Sequence, residues 1–411
     1  MKKSYYLWAL ISVFMLTACE KEQTVDNDVW NDATKLWMAG EDGSSMYGFI
    51  NAKGEMVIPA KYVTCSSFSY GYAKVTETES GTDFYFIDKN GNNVNAPAAE
   101  QYGTAFINGY INFKEGGKWG KMNTNWTTVI PANYYSLGST AANGYSCFKE
   151  TSDGKYGYLD KNGEVVIPAN FVSASAFANG IAVVSVSDSI GLRDGVINEK
   201  GEYLVELQEN TLENLGEGLV SFIDSDWKYG IWDKTGNIIL SATYDDIYPF
   251  TCGLALVQKD GKYGAINTKG EVVVPVKWSY LISFRDNVAW ATMDDMNDYF
   301  NGDMTWYAIN TKGEQLFQLE EGEVPNILAT LGELVGVTCT YWQFHNGLAN
   351  IYNLKTGNSR YVNKSGQTIY TWNENTGAEA PAFNPTEEDF RNAIKASMLD
   401  TEYAPLFEEI R

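Results

Sequence analysis

Residues 47–59 read Tyr47-Gly48-Phe49-Ile50-Asn51-Ala52-Lys53-Gly54-Glu55-Met56-Val57-Ile58-Pro59. The pattern returns as Tyr156-Gly157-Tyr158-Leu159-Asp160-Lys161-Asn162-Gly163-Glu164-Val165-Val166-Ile167-Pro168, and again from Tyr263-Gly264 through Asn267 and Gly270 to Pro275. Degraded copies surround Asp88, Asn123, Asn198, Asp233, Asn310 and Asn363. With the Asn or Asp as register mark, successive copies lie 37, 35, 37, 38, 35, 34, 43 and 53 residues apart. A period near 36 held over nine copies defines a repeat architecture, and it overrides the two to four ordinary domains that 411 residues would otherwise suggest.

Each copy has the composition of a β-hairpin. An apolar stretch stops at Asn or Asp, two polar residues and a glycine follow, and a second β-rich stretch ends at Pro, so the glycine is expected at positive φ and the proline at the end of the ladder. A second signature, Phe-x-x-Gly-apolar-small-x-apolar, follows at Phe68, Phe177 and Phe250, with Phe106, Leu215, Phe284 and Phe344 in the same place. It marks another strand, which leads through a turn such as Asp260-Gly261-Lys262 into the next Tyr-Gly hairpin. The unit is therefore a three-stranded antiparallel meander, and connections carrying Tyr62, Tyr134, Phe171, Tyr244 or Trp278 join one unit to the next. Three short strands bury too little apolar area to fold alone, so neighbours must stack. Leu36–Ala39 and Gly347–Ile351 complete the first and last units, giving nine. Because neither end lacks a strand, the expected fold is all-β, an open curved solenoid of nine units over 35–370. A propeller-like toroid is the alternative.

At these residues the chain resembles the WG-repeat family of bacterial β-repeat proteins, with Tyr usually in place of Trp; Trp119-Gly120 is the literal match. The resemblance covers roughly residues 46–370. It implies a β-repeat scaffold, and the family has no common catalytic residues to carry over.

The N-terminus supplies an address. Met1-Lys2-Lys3, an apolar run from Tyr5 to Leu16 and the tetrad Leu16-Thr17-Ala18-Cys19 form a signal peptide over 1–18, with an apolar core too short for a spanning helix. The tetrad resembles the bacterial lipobox, which implies acylation of Cys19 and a lipoprotein held on a membrane by its acyl chains. Glu20-Lys21-Glu22 resembles the short signal that carries lipoproteins of Bacteroidetes-type bacteria to the outer surface, so the outer membrane, and the cell surface, are the expected location. Residues 19–34 read as a tether, 371–384 as a linker and 385–411 as a helical cap opened by Thr386 and Asp389. The net charge is −22 with no basic cluster beyond the N-terminus, which argues against nucleic acid as partner. A single histidine, His345, makes imidazole-based catalysis and multi-histidine metal sites nearly unattainable.

Function is best sought where the array breaks its own rule. Two insertions flank the eighth unit: Asn287 to Asn310 spans 23 residues against 14–18 elsewhere, and Asn310 to Phe344 spans 34 against 17 or 18. The first contains Asp294, Asp295, Asp298, Tyr299 and Asp303. Trp290 fills a slot that in other copies accepts Lys74, Asn112 or Ser221, where it either stacks on a sugar or partner side chain or covers the neighbouring unit. These six residues are the candidate binding site. The acidic order fits no established Ca²⁺ loop, and Asp88-Lys89-Asn90-Gly91 fails the EF-hand spacing, so neither a metal nor a cofactor is assigned. Cys65, Cys147, Cys252 and Cys339 allow three disulfide connectivities and select none. The expected function is therefore noncatalytic, with a lipid-anchored β-repeat face presented to a protein or glycan. A carboxylate-dependent glycan-active enzyme, which needs no histidine, and a periplasmic spacer are the alternatives.

Overall fold

The computed structural model describes residues 35–373 apart from 79–82, 104, 210, 296–302 and 327–342. The segments expected to be a signal peptide, a tether and a helical cap, with Cys19, lie outside the described residues. Within them the regular structure is entirely β: nine small antiparallel sheets, one per repeat. The fourth is typical. Its strands Ser136–Leu137, Ser146–Lys149, Tyr156–Leu159 and Val165–Phe171 pair in sequence order. These roles are called lead, first hairpin, second hairpin and edge strand.

Seven sheets have four strands where three were expected; the first two have three. The added lead strand is as short as two residues, too short to show a period in the sequence. The proline does not end the ladder either. Edge strands run through Pro59 to Tyr62, through Pro168 to Phe171 and through Pro275 to Trp278. A strand at the rim of a sheet needs no N–H on its outer side, and a bulge in the pairing accommodates the ring. That bulge explains the Tyr-Gly pair. A Cβ on Gly157 would lie 2.6 Å from the Ile167 carbonyl oxygen and 2.8 Å from the Ala169 nitrogen, so the glycine permits close approach between two strands of its own sheet. The Phe-x-x-Gly signature is a tight turn before the first hairpin strand, with both central residues at positive φ, as at Asn179 (48°) and Gly180 (82°).

Packing divides the described residues into two compact units, Pro97–Gly261 with Ala265–Val272, and 35–96 with Lys262–Gly264 and 273–373. In the first, the turn glycines of the fourth to seventh repeats rest on the edge strand of the repeat before: Gly163 on Ile130, Gly201 on Ile167, Gly236 on Val205 and Gly270 on Leu240. In the second, Gly91 rests on Ile58, Gly313 on Val274 and Gly366 on Phe317.

The second unit also holds both ends of the array, and there Gly54 of the first repeat rests on Ile369 of the last. Trp37, Ala39 and Ile50 share one apolar cluster with Leu348, Tyr361 and Trp372. The Tyr361 hydroxyl donates to the Met38 carbonyl (2.7 Å), Trp37 Nε1 to the His345 carbonyl (2.9 Å) and the Gly43 N–H to the Asn373 carbonyl (2.9 Å). The open solenoid is therefore incorrect. The first sheet docks on the ninth with the contact that Gly91, Gly313 and Gly366 make to the repeats before them, as in a nine-bladed β-propeller. The expectation failed because it tied closure to a shared strand, whereas here faces and turn glycines close the array and no strand is exchanged. The array also runs three residues past Tyr370, to Asn373.

Candidate functional site

Every sheet has two kinds of turn, and they differ sharply. Between the second hairpin strand and the edge strand, the Asn or Asp caps its own turn in all nine copies. Asn51 Oδ1 accepts from the N–H groups of Lys53 (2.9 Å) and Glu55 (3.0 Å), and the last copy repeats this at Asn363 with Ser365 and Gln367 (3.0 Å each). At Asp233 burial pulls the carboxyl pKa upward, but bonds from Asn237 and Thr235 prevail and hold it at about 2. The glycine that follows is at positive φ, from 77° to 87°, in eight copies, and Trp126 takes its place at 58° in the third. These polar groups are consumed by the turn itself.

The turn between the two hairpin strands is free of that constraint. It runs from two residues, Gly116-Gly117, to the fourteen of 293–306. Around these turns and the neighbouring starts of the lead strands, the first unit exposes Tyr135, Val172, Ile190 (66%), Leu192 (55%) and Trp227 (65%); in the second unit Met293 has the same position. Trp227, with φ 60°, follows Asp224, whose carboxylate accepts from the N–H groups of Asp226 and Lys228, so the indole is held outward on an ordered turn. The remaining exposed large apolar residues are Val57, Val165, Ile238, Ile239, Val272 and Leu316, all on edge strands.

The predicted site divides. Trp290 is 1% exposed, stacked on Phe344 of the ninth repeat (centroids 5.3 Å apart) and edge-on to Phe317 (5.7 Å). It covers the neighbouring repeat, as Tyr158 does Phe177, and offers no face to a ligand. Asp294 is half-buried and structural, its carboxylate accepting from the Thr305 N–H at 2.6 Å. Asp295 and Asp303 are exposed at the rim where the turns between the two hairpin strands lie, the first-hairpin rim; Asp298 and Tyr299 lie outside the described residues. Lys355, in the corresponding turn of the ninth sheet, binds Asp303 at 3.4 Å and Glu321 at 2.6 Å, tying the two insertions together. Part of the second insertion is not a loop: Glu323–Pro325 is the lead strand of the ninth sheet, pinned by a bidentate pair between Glu323 and Arg360 (2.6 Å each).

A second group was not legible in the sequence. Glu213, on the lead strand Leu212–Gly216, has its pKa pushed up to about 7 by burial and by the negative charges of Asp246 and Asp194. Asp194, raised by burial, belongs to the sheet before and accepts from the Leu212 N–H at 3.0 Å; Asp246 opens the lead strand of the sheet after. Burial and these acids also raise the Tyr229 phenol. Single acidic residues on three different repeats give no local pattern, so only the packing of successive lead strands reveals them.

His345 is half-buried beside the first sheet, its Nε2 2.8 Å from Asn346 Nδ2, and desolvation lowers its pKa to about 4. Burial raises the thiols of Cys65 and Cys147 far above the reactive range. Cys252 lies in a signature turn at φ 51°, and Cys339 is outside the described residues. Among the described residues no group of three or more His, Cys, Asp or Glu is placed to hold a metal ion, and no helix is long and apolar enough to cross a membrane.

With this geometry in hand, four segments, 47–78, 156–188, 229–263 and 263–296, match the family model of the WG containing repeat. Among solved structures, a eukaryotic initiation factor crystal structure is similar in fold, at 12% identity and a TM-score of 0.52, over 82% of this chain and 96% of that one. Weaker likenesses include the dihydro-heme d1 dehydrogenase NirN (12% identity, TM-score 0.39, 70% of this chain and 73% of that one) and Hsv2 of Kluyveromyces lactis (9%, 0.36, 64% and 93%). No curated protein matches the chain. The chain therefore carries WG-type repeats within a β-propeller-like fold.

Proposed function

We propose that this protein is a noncatalytic, lipid-anchored surface protein of the outer membrane that binds a protein or glycan with the first-hairpin rim of its sheets. One observation carries the reading: the first unit exposes Ile190, Leu192 and Trp227 on adjacent turns of that rim, while the capped turns at the opposite ends of the strands spend their polar groups on themselves. Rigid aromatic and aliphatic side chains on ordered turns provide contact area at small entropic cost. Cys19 supplies the anchor. Capture of cell-surface glycans and proteins by the full-length chain tests the binding reading. Trp227→Ala combined with Leu192→Ser should abolish capture while the fold persists; undiminished capture sinks it. Whole-cell protease shaving tests surface exposure, which fails if the intact cell protects the protein.

A carboxylate-dependent glycan-active enzyme is the second reading, and Glu213 favours it, because a carboxyl still protonated near neutrality is what a general acid requires. Glycan turnover abolished by Glu213→Gln would replace the first reading.

A further inference from the structure

We infer that the group formed by Asp194, Glu213 and Asp246, together with the Ser221 hydroxyl, is a binding site for an organic cation, a guanidinium or ammonium group on an aliphatic stem. This goes beyond the rim reading and stands without it. The three acids come from three successive sheets of one compact unit. The Leu212 N–H bond fixes Asp194 against the start of the lead strand that carries Glu213, and the lead strand carrying Asp246 packs alongside.

The second observation is the serine. Ser221 is the direct antiparallel partner of Glu213, so both side chains leave the same face of the sheet as nearest neighbours. The residue is 1% exposed, and its Oγ has no hydrogen-bond partner. A buried hydroxyl without a partner is uncommon and costs stability unless something else satisfies it. Here it lies beside a carboxyl whose charged neighbours are both negative. Glu213, Asp246 and Tyr229 keep partial solvent exposure, so the group is reachable from solvent. Acceptor oxygens from three carboxyls and a hydroxyl match a group with several N–H donors, and each bond to a charged donor is of the stronger kind. A bare metal ion is the poorer occupant, because these acids are not grouped for coordination.

Calorimetric titration of the full-length chain with agmatine, which carries both cationic groups, tests the assignment, with Ca²⁺ as a parallel titrant. The expected result is saturable binding of one agmatine per chain, weakened at least about tenfold by Glu213→Gln and about threefold by Ser221→Ala. Near-ultraviolet circular dichroism checks that the variants are folded, and Asp246→Asn replaces Glu213→Gln if the latter is not. Absence of agmatine binding at millimolar concentration overturns the assignment. So does binding equally strong in every folded variant, or Ca²⁺ binding that excludes agmatine. Trp227→Ala should leave agmatine binding unchanged, which separates failure of this site from failure of the rim.

Discussion

The two ends of each sheet are built on opposite terms. At one, nine Asn or Asp side chains make the same two backbone hydrogen bonds, as Asn267 does to Lys269 and Glu271, and the glycine after most of them docks on the preceding repeat. At the other, turn length varies from two to fourteen residues and apolar side chains are left in solvent. Uniformity along the chain therefore reports packing, and departure from it marks surface the scaffold does not need. Trp290 shows the limit of that inference, since it departs from its repeat slot and is nonetheless core.

Substitution can break this contrast. Gly157→Val drives a side chain into the edge strand of its own sheet and should cost roughly 3 kcal/mol or more by chemical denaturation. Trp372→Ala, which empties the cluster joining the first and ninth sheets, should cost about 3 kcal/mol and lower the unfolding midpoint as an interior repeat interface would. A cost under about 0.5 kcal/mol would mean the ends are not joined.

Glu213 sharpens the contrast from within the sheets. Its folded pKa, about 7, exceeds the ordinary 4.5, so the native state binds the proton more tightly than the unfolded one. Its contribution is fully present below pH 4.5 and is lost as pH rises through about 7. Glu213→Gln should therefore stabilise the protein by on the order of 2–3 kcal/mol near pH 8 and by almost nothing near pH 4, read from denaturation midpoints at the two pH values. A gain equal at both would remove the charge explanation. The smallest stability effect belongs to the rim: Trp227→Ala should stay within about 0.5 kcal/mol of the parent while reducing ligand capture, so a large loss of stability there would erase the distinction between the two ends.

The repeat, its register marks and the positive-φ glycines were legible because a turn needing one backbone geometry leaves one residue signature, as at Asn51 and Gly54. The lead strands were not, because Thr64–Cys65 or Ser173–Ala174 has no room for a period. Closure was hidden because it joins residues from opposite ends of the array, such as Gly54 and Ile369, without a shared strand to announce it. Of the predicted site, Asp295 and Asp303 reach the surface, whereas Trp290 could not be told from a surface aromatic without knowing what covers it. Ile190, Leu192 and Trp227 escaped notice because their turns are of ordinary length, and Glu213 because its partners lie on the sheets before and after its own.

The distance between spin labels at the exposed positions Lys53 and Thr371 tests closure most directly. A closed array gives a single narrow distribution at roughly 10–20 Å, since these positions flank the contact of Gly54 with Ile369. Nine sheets stacked in an open line at about 10 Å spacing would instead separate the labels by roughly 80 Å, and that result would contradict it.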